Sequence, residues 1–212
     1  MKVNSMSTTK FLQYLVMPVY KPDSGLRQLI VDRCSVAYAS LALLLLGLFY
    51  SIALYIGYRH GFGAVTPPVL NIPAAQYYLW EAFFGIPVYF AAAILFAGTA
   101  RLLAMAWHGQ GSFELLYALY GLFSFLPMFI LLWLPEAALM IFFPDLKSQP
   151  LGGFALMPAW VDADRQILSV LWPLGLLWLG VRQSEHLSWA SSLLVTLLGF
   201  IPTSAIVLVF IR

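Results

Sequence analysis

Five long runs of apolar residues alternate with shorter polar segments along this chain. The runs cover residues 36–58, 79–106, 113–143, 164–182 and 189–211. A backbone in hydrocarbon must satisfy its hydrogen bonds within its own segment, and about 20 helical residues cross the hydrocarbon core. The pattern therefore predicts an all-α fold, a polytopic transmembrane helix bundle with five spans.

The fourth run is the weakest of the five, because only residues 167–181 are free of charge. At about 1.5 Å per residue, this stretch would cover only about 22 Å. We expect Asp164, Arg165 and Arg182 to lengthen the helix by reaching into the headgroup region.

Proline occurs inside four of the predicted spans, and the third span is longer than one straight crossing requires. Proline removes a helical hydrogen bond, so each is a predicted kink, and the third span should bend near one of its two prolines. Structural kinks are favoured over a transport path or ligand contact, the alternative that freed carbonyls allow. The predicted kinks are at Pro87, Pro127, Pro135, Pro173 and Pro202.

The N-terminal segment has a different pattern from the rest of the chain. Phe11, Leu15 and Val19 recur at helical spacing between Lys10 and Lys21. This pattern is typical of a short helix lying on a membrane surface. We therefore divide the chain into a cytoplasmic segment with a short interfacial helix, residues 1–34, and a transmembrane domain, residues 35–212. A cleavage pattern of small residues does not follow the first apolar run, which argues against a cleaved signal peptide.

Composition agrees with the apolar pattern. Of 212 residues, 62% are hydrophobic and only 9% are charged, too few to cover a soluble surface. The net charge of +2 is too small, and too scattered, for a nucleic-acid-binding protein. The single cysteine, Cys34, excludes an intrachain disulfide and a cysteine-cluster metal site.

Lysine and arginine are distributed unevenly between the two sides of the predicted bundle. Seven of the eleven would lie on the side of the N-terminus, namely Lys2, Lys10, Lys21, Arg27, Arg33, Arg101 and Arg182. The other side would hold Arg59, Lys147, Arg165 and Arg212. Positive charge is enriched on the cytoplasmic side of membrane proteins, so the N-terminus is predicted to be cytoplasmic and the C-terminus to lie opposite.

Familiar catalytic signatures do not occur in the sequence, and we expect no enzyme activity and no cofactor. The densest polar group flanks the two connections on the cytoplasmic side, where it is more often structural than an acid/base or metal site. Arg101 with Glu114, or Arg182 with Glu185, are the expected pairs. The whole candidate cluster is Arg101, His108, Glu114, Arg182, Glu185 and His186.

Two further carboxyl groups, Glu81 and Glu136, lie toward the outer ends of the second and third spans. An ionisable group within an apolar span is a functional candidate. The plainer expectation is that each carboxylate reaches water in the outer leaflet.

Three segments carry a resemblance to a known family. They are KPDSGLRQLIVDR before the first span, GQGSFELLYALYGLFSFLP, and WPLGLLWLGVRQSEHLSWASSLLVTLLGFIP. The chain resembles the Yip domain family of multispanning membrane proteins, whose eukaryotic members interact with Rab GTPases. The features that look alike are Gly109, Gly111, Ser112, Phe113, Tyr120 and Pro127. The chain lacks the long cytosolic region and DLYGP-type motif of the eukaryotic members, so the Rab interaction is not carried over. The resemblance is to the compact prokaryotic type, which implies a bacterial cytoplasmic membrane.

These observations lead to three functional expectations. The first is a non-enzymatic protein of membrane organisation or trafficking that binds lipids, other membrane proteins or a second copy of itself. The second is a transporter or channel for a small solute or ion, in which Glu81, Glu136 or the cytoplasmic cluster forms a path. The third is an enzyme that acts on lipid.

Overall fold

The computed structural model of this chain describes residues 7–64, 67–143 and 158–211, and these residues contain helices and no strand. Two short helices come first, α1 (Thr8–Tyr20) and α2 (Pro22–Val31). The long helices are α3 (Ser35–Arg59), α4 (Ala74–Ala106), α8 (Ala159–Glu185) and α9 (Trp189–Phe210). Between α4 and α8 lie α5 (Phe113–Phe123), α6 (Phe125–Met128), a π-helix (Phe129–Trp133) and α7 (Leu134–Phe142).

Five helical segments are long and apolar enough to cross a membrane, which confirms the predicted fold class of this integral membrane protein. They are Ser35–Arg59, Ala74–Ala106, Phe113–Phe142, Ala159–Glu185 and Trp189–Phe210. The second and fourth begin earlier than predicted. The fourth begins after Pro158, and it ends at His186, whose left-handed backbone stops the helix.

Successive spans run in alternating directions. Tyr77, near the start of α4, donates to the carbonyls of Val209 and Phe210 at the end of α9. Ser40 and Tyr117, near the starts of α3 and α5, are hydrogen-bonded to each other. We therefore call the end of the bundle with the starts of α3, α5 and α9 the N-side, and the opposite end the C-side.

Helix α4 is the centre of the bundle and contacts α3, α5 and α9. Small side chains allow these helices to approach closely, as is usual when lipid is the solvent. A Cβ at Gly47 would lie 2.9 Å from Ile86 of α4, and one at Gly121 would lie 2.9 Å from Ala39 of α3. The alanines that line the contact on α4 are fully buried: Ala92, Ala93, Ala97, Ala100 and Ala104.

The third span is not one regular α-helix. Pro127 precedes its π-helix and Pro135 follows it, and proline cannot donate a hydrogen bond to the preceding turn. The other three prolines inside spans, Pro87, Pro173 and Pro202, lie within helices that continue through them.

The segment before the first span contains two helices, although the sequence pattern predicted only one. Helices α1 and α2 form an antiparallel pair, the N-terminal hairpin (residues 8–31), closed by bonds from Lys10 and Tyr14 to Asp32. Its turn is held to the bundle by Gln183, which donates to Asp23 at 2.6 Å. Three charged residues used to predict orientation, Lys2, Lys147 and Arg212, lie outside the described residues.

Candidate functional site

On the N-side, an ion pair joins α4 to α8. Arg101 of α4 donates to Glu185 of α8 at 2.7 Å, and Glu185 is fully buried. The same guanidinium group donates to the carbonyl of Gly109 at 3.1 Å. We call Arg101 and Glu185 the rim pair.

The connection between α4 and α5 folds around the rim pair. The backbone amide of Gly111 donates to Glu185 Oε2 at 2.9 Å, and the amide of Gln110 donates to the Glu185 carbonyl at 3.2 Å. A Cβ at Gly111 would lie 2.6 Å from Glu185 Oε1, and one at Gly109 would lie 2.5 Å from Oε2. Glycine at both positions is therefore required for the connection to reach the carboxylate.

The other members of the predicted polar cluster are not part of the rim pair. Glu114 is exposed in the first turn of α5, and Arg182 lies over the ring of Trp189, 3.8 Å from its centroid. His108 and His186 are exposed and have left-handed backbones, with φ of 59° and 56°. The expected pairs, Arg101 with Glu114 and Arg182 with Glu185, were wrong, because the α4 to α5 connection turns Glu114 toward solvent and places Arg101 against α8.

Toward the C-side, Glu81 of α4 is completely buried, which corrects the expectation that it reaches water. Its Oε1 accepts a hydrogen bond from the hydroxyl of Tyr50 on α3. The Tyr50 ring packs against Trp133 of the π-helix, with ring centroids 4.0 Å apart. Tyr89, two turns after Glu81, packs edge-on against both of these rings. We call Tyr50, Glu81, Tyr89 and Trp133 the buried acidic centre.

Two polar groups of this centre have no hydrogen-bond partner among the described residues. They are the hydroxyl of Tyr89 and the indole nitrogen of Trp133, and both atoms are buried. Buried polar groups are usually paired, so these two atoms distinguish the buried acidic centre from ordinary apolar packing.

A second acidic group lies near this centre, between the third and fourth spans. Arg165 of α8 lies 2.7 Å from Asp162 and 3.5 Å from Glu136, so it was wrong to expect Arg165 to extend into the headgroups. Its guanidinium also donates to the carbonyl of Leu131 at 2.7 Å. Pro135 lies four residues after Leu131 and has no N–H for that carbonyl, which explains why a buried arginine is needed there.

The two acidic groups are linked through the third span. Trp133, whose ring packs against Tyr50, lies three residues before Glu136. The side chain of Glu136 keeps 31% of its surface exposed, whereas Glu81 has none. One carboxyl group of this region is therefore partly exposed and the other is inside the bundle.

Sequence reasoning found Glu81 and Glu136 but missed Tyr50, Tyr89, Trp133 and Asp162. The signal available was weak. Tyr50 and Ser51 interrupt an apolar run, and Trp133 lies between two prolines, but aromatic residues in spans are usually packing residues.

Within residues 7–64, 67–143 and 158–211, no group of three or more His, Cys, Asp or Glu side chains is arranged to hold a metal ion. Comparisons with protein-family models, with curated proteins and with solved structures found no match to this chain.

Proposed function

We propose that this integral membrane protein binds lipid through its N-terminal hairpin and contributes to membrane organisation. The observation that carries the proposal is an exposed apolar stripe on α1, formed by Leu12, Val16 and Tyr20, with exposures of 56%, 45% and 59%. These residues are spaced four apart and so lie along one side of the helix.

The opposite side of α1 is buried against the bundle. Phe11 and Tyr14 pack against Tyr38 of α3, with ring centroids 6.3 and 5.4 Å apart. Hydrophobic contacts with the bundle therefore account for one side of the helix but not for Leu12, Val16 and Tyr20. An apolar stripe on a helix next to a transmembrane domain is suited to the boundary between headgroups and acyl chains.

The charges around the stripe favour anionic lipid. Lys21, Arg27 and Arg33 are exposed on the hairpin or directly after it. Each basic group near a membrane surface contributes about 1 kcal/mol of attraction to anionic headgroups. The cytoplasmic leaflet carries such lipids, which agrees with the proposed cytoplasmic N-terminus and the proposed location in a bacterial cytoplasmic membrane.

A spin label tests the position of the stripe. The label is placed on Val16→Cys in a Cys34→Ser background, because Cys34 is the single native cysteine. In liposomes, the proposal predicts access to oxygen and protection from a water-soluble nickel reagent. A label at Gln28, which is exposed on α2, is the comparison site. Full access of the Val16 label to nickel would contradict lipid contact.

Native mass spectrometry from mild detergent tests lipid binding. The triple variant Lys21→Glu, Arg27→Glu and Arg33→Glu should retain less anionic lipid than the wild-type chain. Arg59→Glu, an exposed arginine at the C-side end of α3, is the matched control. Equal retention by the triple variant would show that the hairpin is not the lipid-binding element. The same spectra would report a second copy or another membrane protein as partner.

We propose that the protein catalyses no covalent reaction, and that it is a compact member of the Yip domain family. Both rest on the sequence patterns given above. Lipid turnover by the purified protein that is lost in His108→Ala or His186→Ala would contradict the first. A trafficking or lipid-distribution phenotype on deletion of the gene would support the second, and normal lipid distribution would count against it.

Transport of a small solute or ion is a second candidate, favoured by the full burial of Glu81 within a span. Solute flux into liposomes that is lost in Glu81→Gln would support it. Flux unchanged in Glu81→Gln and Glu136→Gln would count against it.

A further inference from the structure

We propose that Glu81 is a proton-binding group inside the bundle and that it exchanges protons with the C-side surface through Glu136. The ligand of this site is the proton itself. The inference rests on neither lipid binding nor solute transport, since it concerns what Glu81 holds and how that group reaches water.

The burial of Glu81 is the first step of the argument. Its side chain has no exposed surface and lies among the rings of Tyr50, Tyr89 and Trp133. An ionised carboxylate in such surroundings loses its hydration, and protonation removes most of that cost. A protonated carboxyl group still accepts a hydrogen bond at one oxygen, so the bond from Tyr50 is compatible with a bound proton.

The titratable groups around Glu81 come from several elements. Tyr50 lies on α3, Tyr78 and Tyr89 lie on α4 before and after Glu81, and Glu136 lies on α7, one turn after Trp133. Arg165 and Asp162 of α8 lie behind Glu136, and α9, which also packs against α4, contributes no titratable side chain between Trp189 and Phe210. Arg165 lies 3.5 Å from Glu136, so an ion pair is present at the outer end of the route.

Glu136 and the tyrosines around Glu81 provide the route. Glu136 is partly exposed and lies one turn after Trp133, whose ring packs against Tyr50, the donor to Glu81. The Tyr89 hydroxyl has no hydrogen-bond partner among the described residues, so it is available to donate or accept. The π-helix places Trp133 against Tyr50, and π-helical segments recur at functional sites.

The exchange step involves only O–H bonds. A proton from water binds the Glu136 carboxylate and moves by way of a tyrosine hydroxyl to Glu81, where one O–H bond forms as another breaks. Release reverses these steps and returns the proton to water. The electron count of every group is unchanged, and no co-reactant is needed.

Infrared spectroscopy of the protein in lipid membranes tests the site directly. A protonated carboxyl group has a carbonyl stretch that is separate from amide and carboxylate bands, and it shifts in heavy water. We expect this band at neutral pH in the wild-type chain and its loss in Glu81→Gln. In Glu136→Gln the band should remain, and its heavy-water shift should develop about a hundredfold more slowly, as expected on removal of a positioned proton-transfer group.

Two further variants keep the test decisive. Glu114→Gln is the matched control, because Glu114 is an exposed glutamate at the other end of the bundle, and it should leave both the band and its exchange unchanged. Tyr50→Phe should shift the band by removing a hydrogen bond, so it reports on Glu81 even if Glu81→Gln does not fold. A band that is absent in the wild-type chain, or that persists in Glu81→Gln, would overturn the site, and unchanged exchange in Glu136→Gln would overturn the route.

Discussion

The two ends of the bundle each bury a glutamate, and they treat it differently. On the N-side, Glu185 accepts from Arg101 and from the backbone amide of Gly111, so an ionised carboxylate is matched by a cation and a fixed dipole. Toward the C-side, Glu81 accepts from Tyr50 within a set of aromatic rings. Equal burial therefore does not imply an equal role, because the groups around a carboxyl group decide whether its ionised or its protonated form is favoured.

The difference also appears in the backbone. Near Glu185, two glycines allow the chain to pack closely over the carboxylate, where a larger side chain would clash. Near Glu81, a π-helix between two prolines positions Trp133, and the polar atoms of Trp133 and Tyr89 have no partner in the described part of the chain. The first region has the features of a structural clamp, and the second has the features of a site.

The largest expected effect is at the clamp. Glu185→Gln should lower the free energy of unfolding by about 3 kcal/mol, because it leaves Arg101 without its partner charge. Thermal unfolding in detergent measures the change. Glu114→Gln, an exposed glutamate, should have no effect, and an equal Tm for the two variants would contradict a structural rim pair.

The next effect is steric. Gly111→Ala should cost about 2 kcal/mol, because its Cβ would lie 2.6 Å from Glu185 Oε1 and 2.9 Å from the Ser184 carbonyl. Gly175→Ala is the matched control, since a Cβ there meets no atom within 4 Å. If both alanine variants unfold at the same temperature, the close contact at Gly111 does not contribute to stability.

A smaller effect concerns acid and the N-terminal hairpin. Burial alone would raise the pKa of Asp32, but hydrogen bonds from the Cys34 amide, Tyr14 and Lys10 outweigh it and lower that pKa. A lowered pKa means that these bonds stabilise the hairpin above the ordinary carboxyl range, near pH 4, and that the stabilisation is lost as pH falls through the folded-state pKa.

Hydrogen exchange of residues 8–31 should therefore accelerate in acid. Asp32→Asn should already exchange faster at neutral pH and should respond less to acid. The same acid response in both proteins would show that Asp32 does not hold the hairpin.

The smallest expected effect separates the two glutamates. Glu81→Gln should change the free energy of unfolding by less than about 1 kcal/mol, because an amide resembles a protonated carboxyl group in shape and charge. Unfolding under the conditions used for Glu185→Gln gives the comparison. A loss as large as that of Glu185→Gln would mean that Glu81 is ionised and needed for folding, and the difference between the two regions would disappear.

Several of these features were within reach of the sequence. Residues 36–58 and 189–211 are uncharged runs of spanning length, so their observed bounds, Ser35–Arg59 and Trp189–Phe210, differ by one residue at most from the prediction. Glu81 and Glu136 were candidates because each interrupts an apolar run. The pairing of Arg101 with Glu185 was missed because the two residues lie 84 positions apart and meet only in the folded bundle.

The sequence by itself determined that the chain lies in lipid, how many spans it has and where they approximately end. The reason is that a backbone in hydrocarbon must satisfy its own hydrogen bonds. Only the tertiary structure decided which charged side chains are buried and which groups they pair with. The fourth span illustrates this. Arg165 was expected to reach into the headgroups, yet it is buried with Asp162 and donates to the third span, where Pro135 leaves the Leu131 carbonyl in need of a donor. Partners for buried polar groups come from other helices, and hydrophobic periodicity carries no information about which helices will meet.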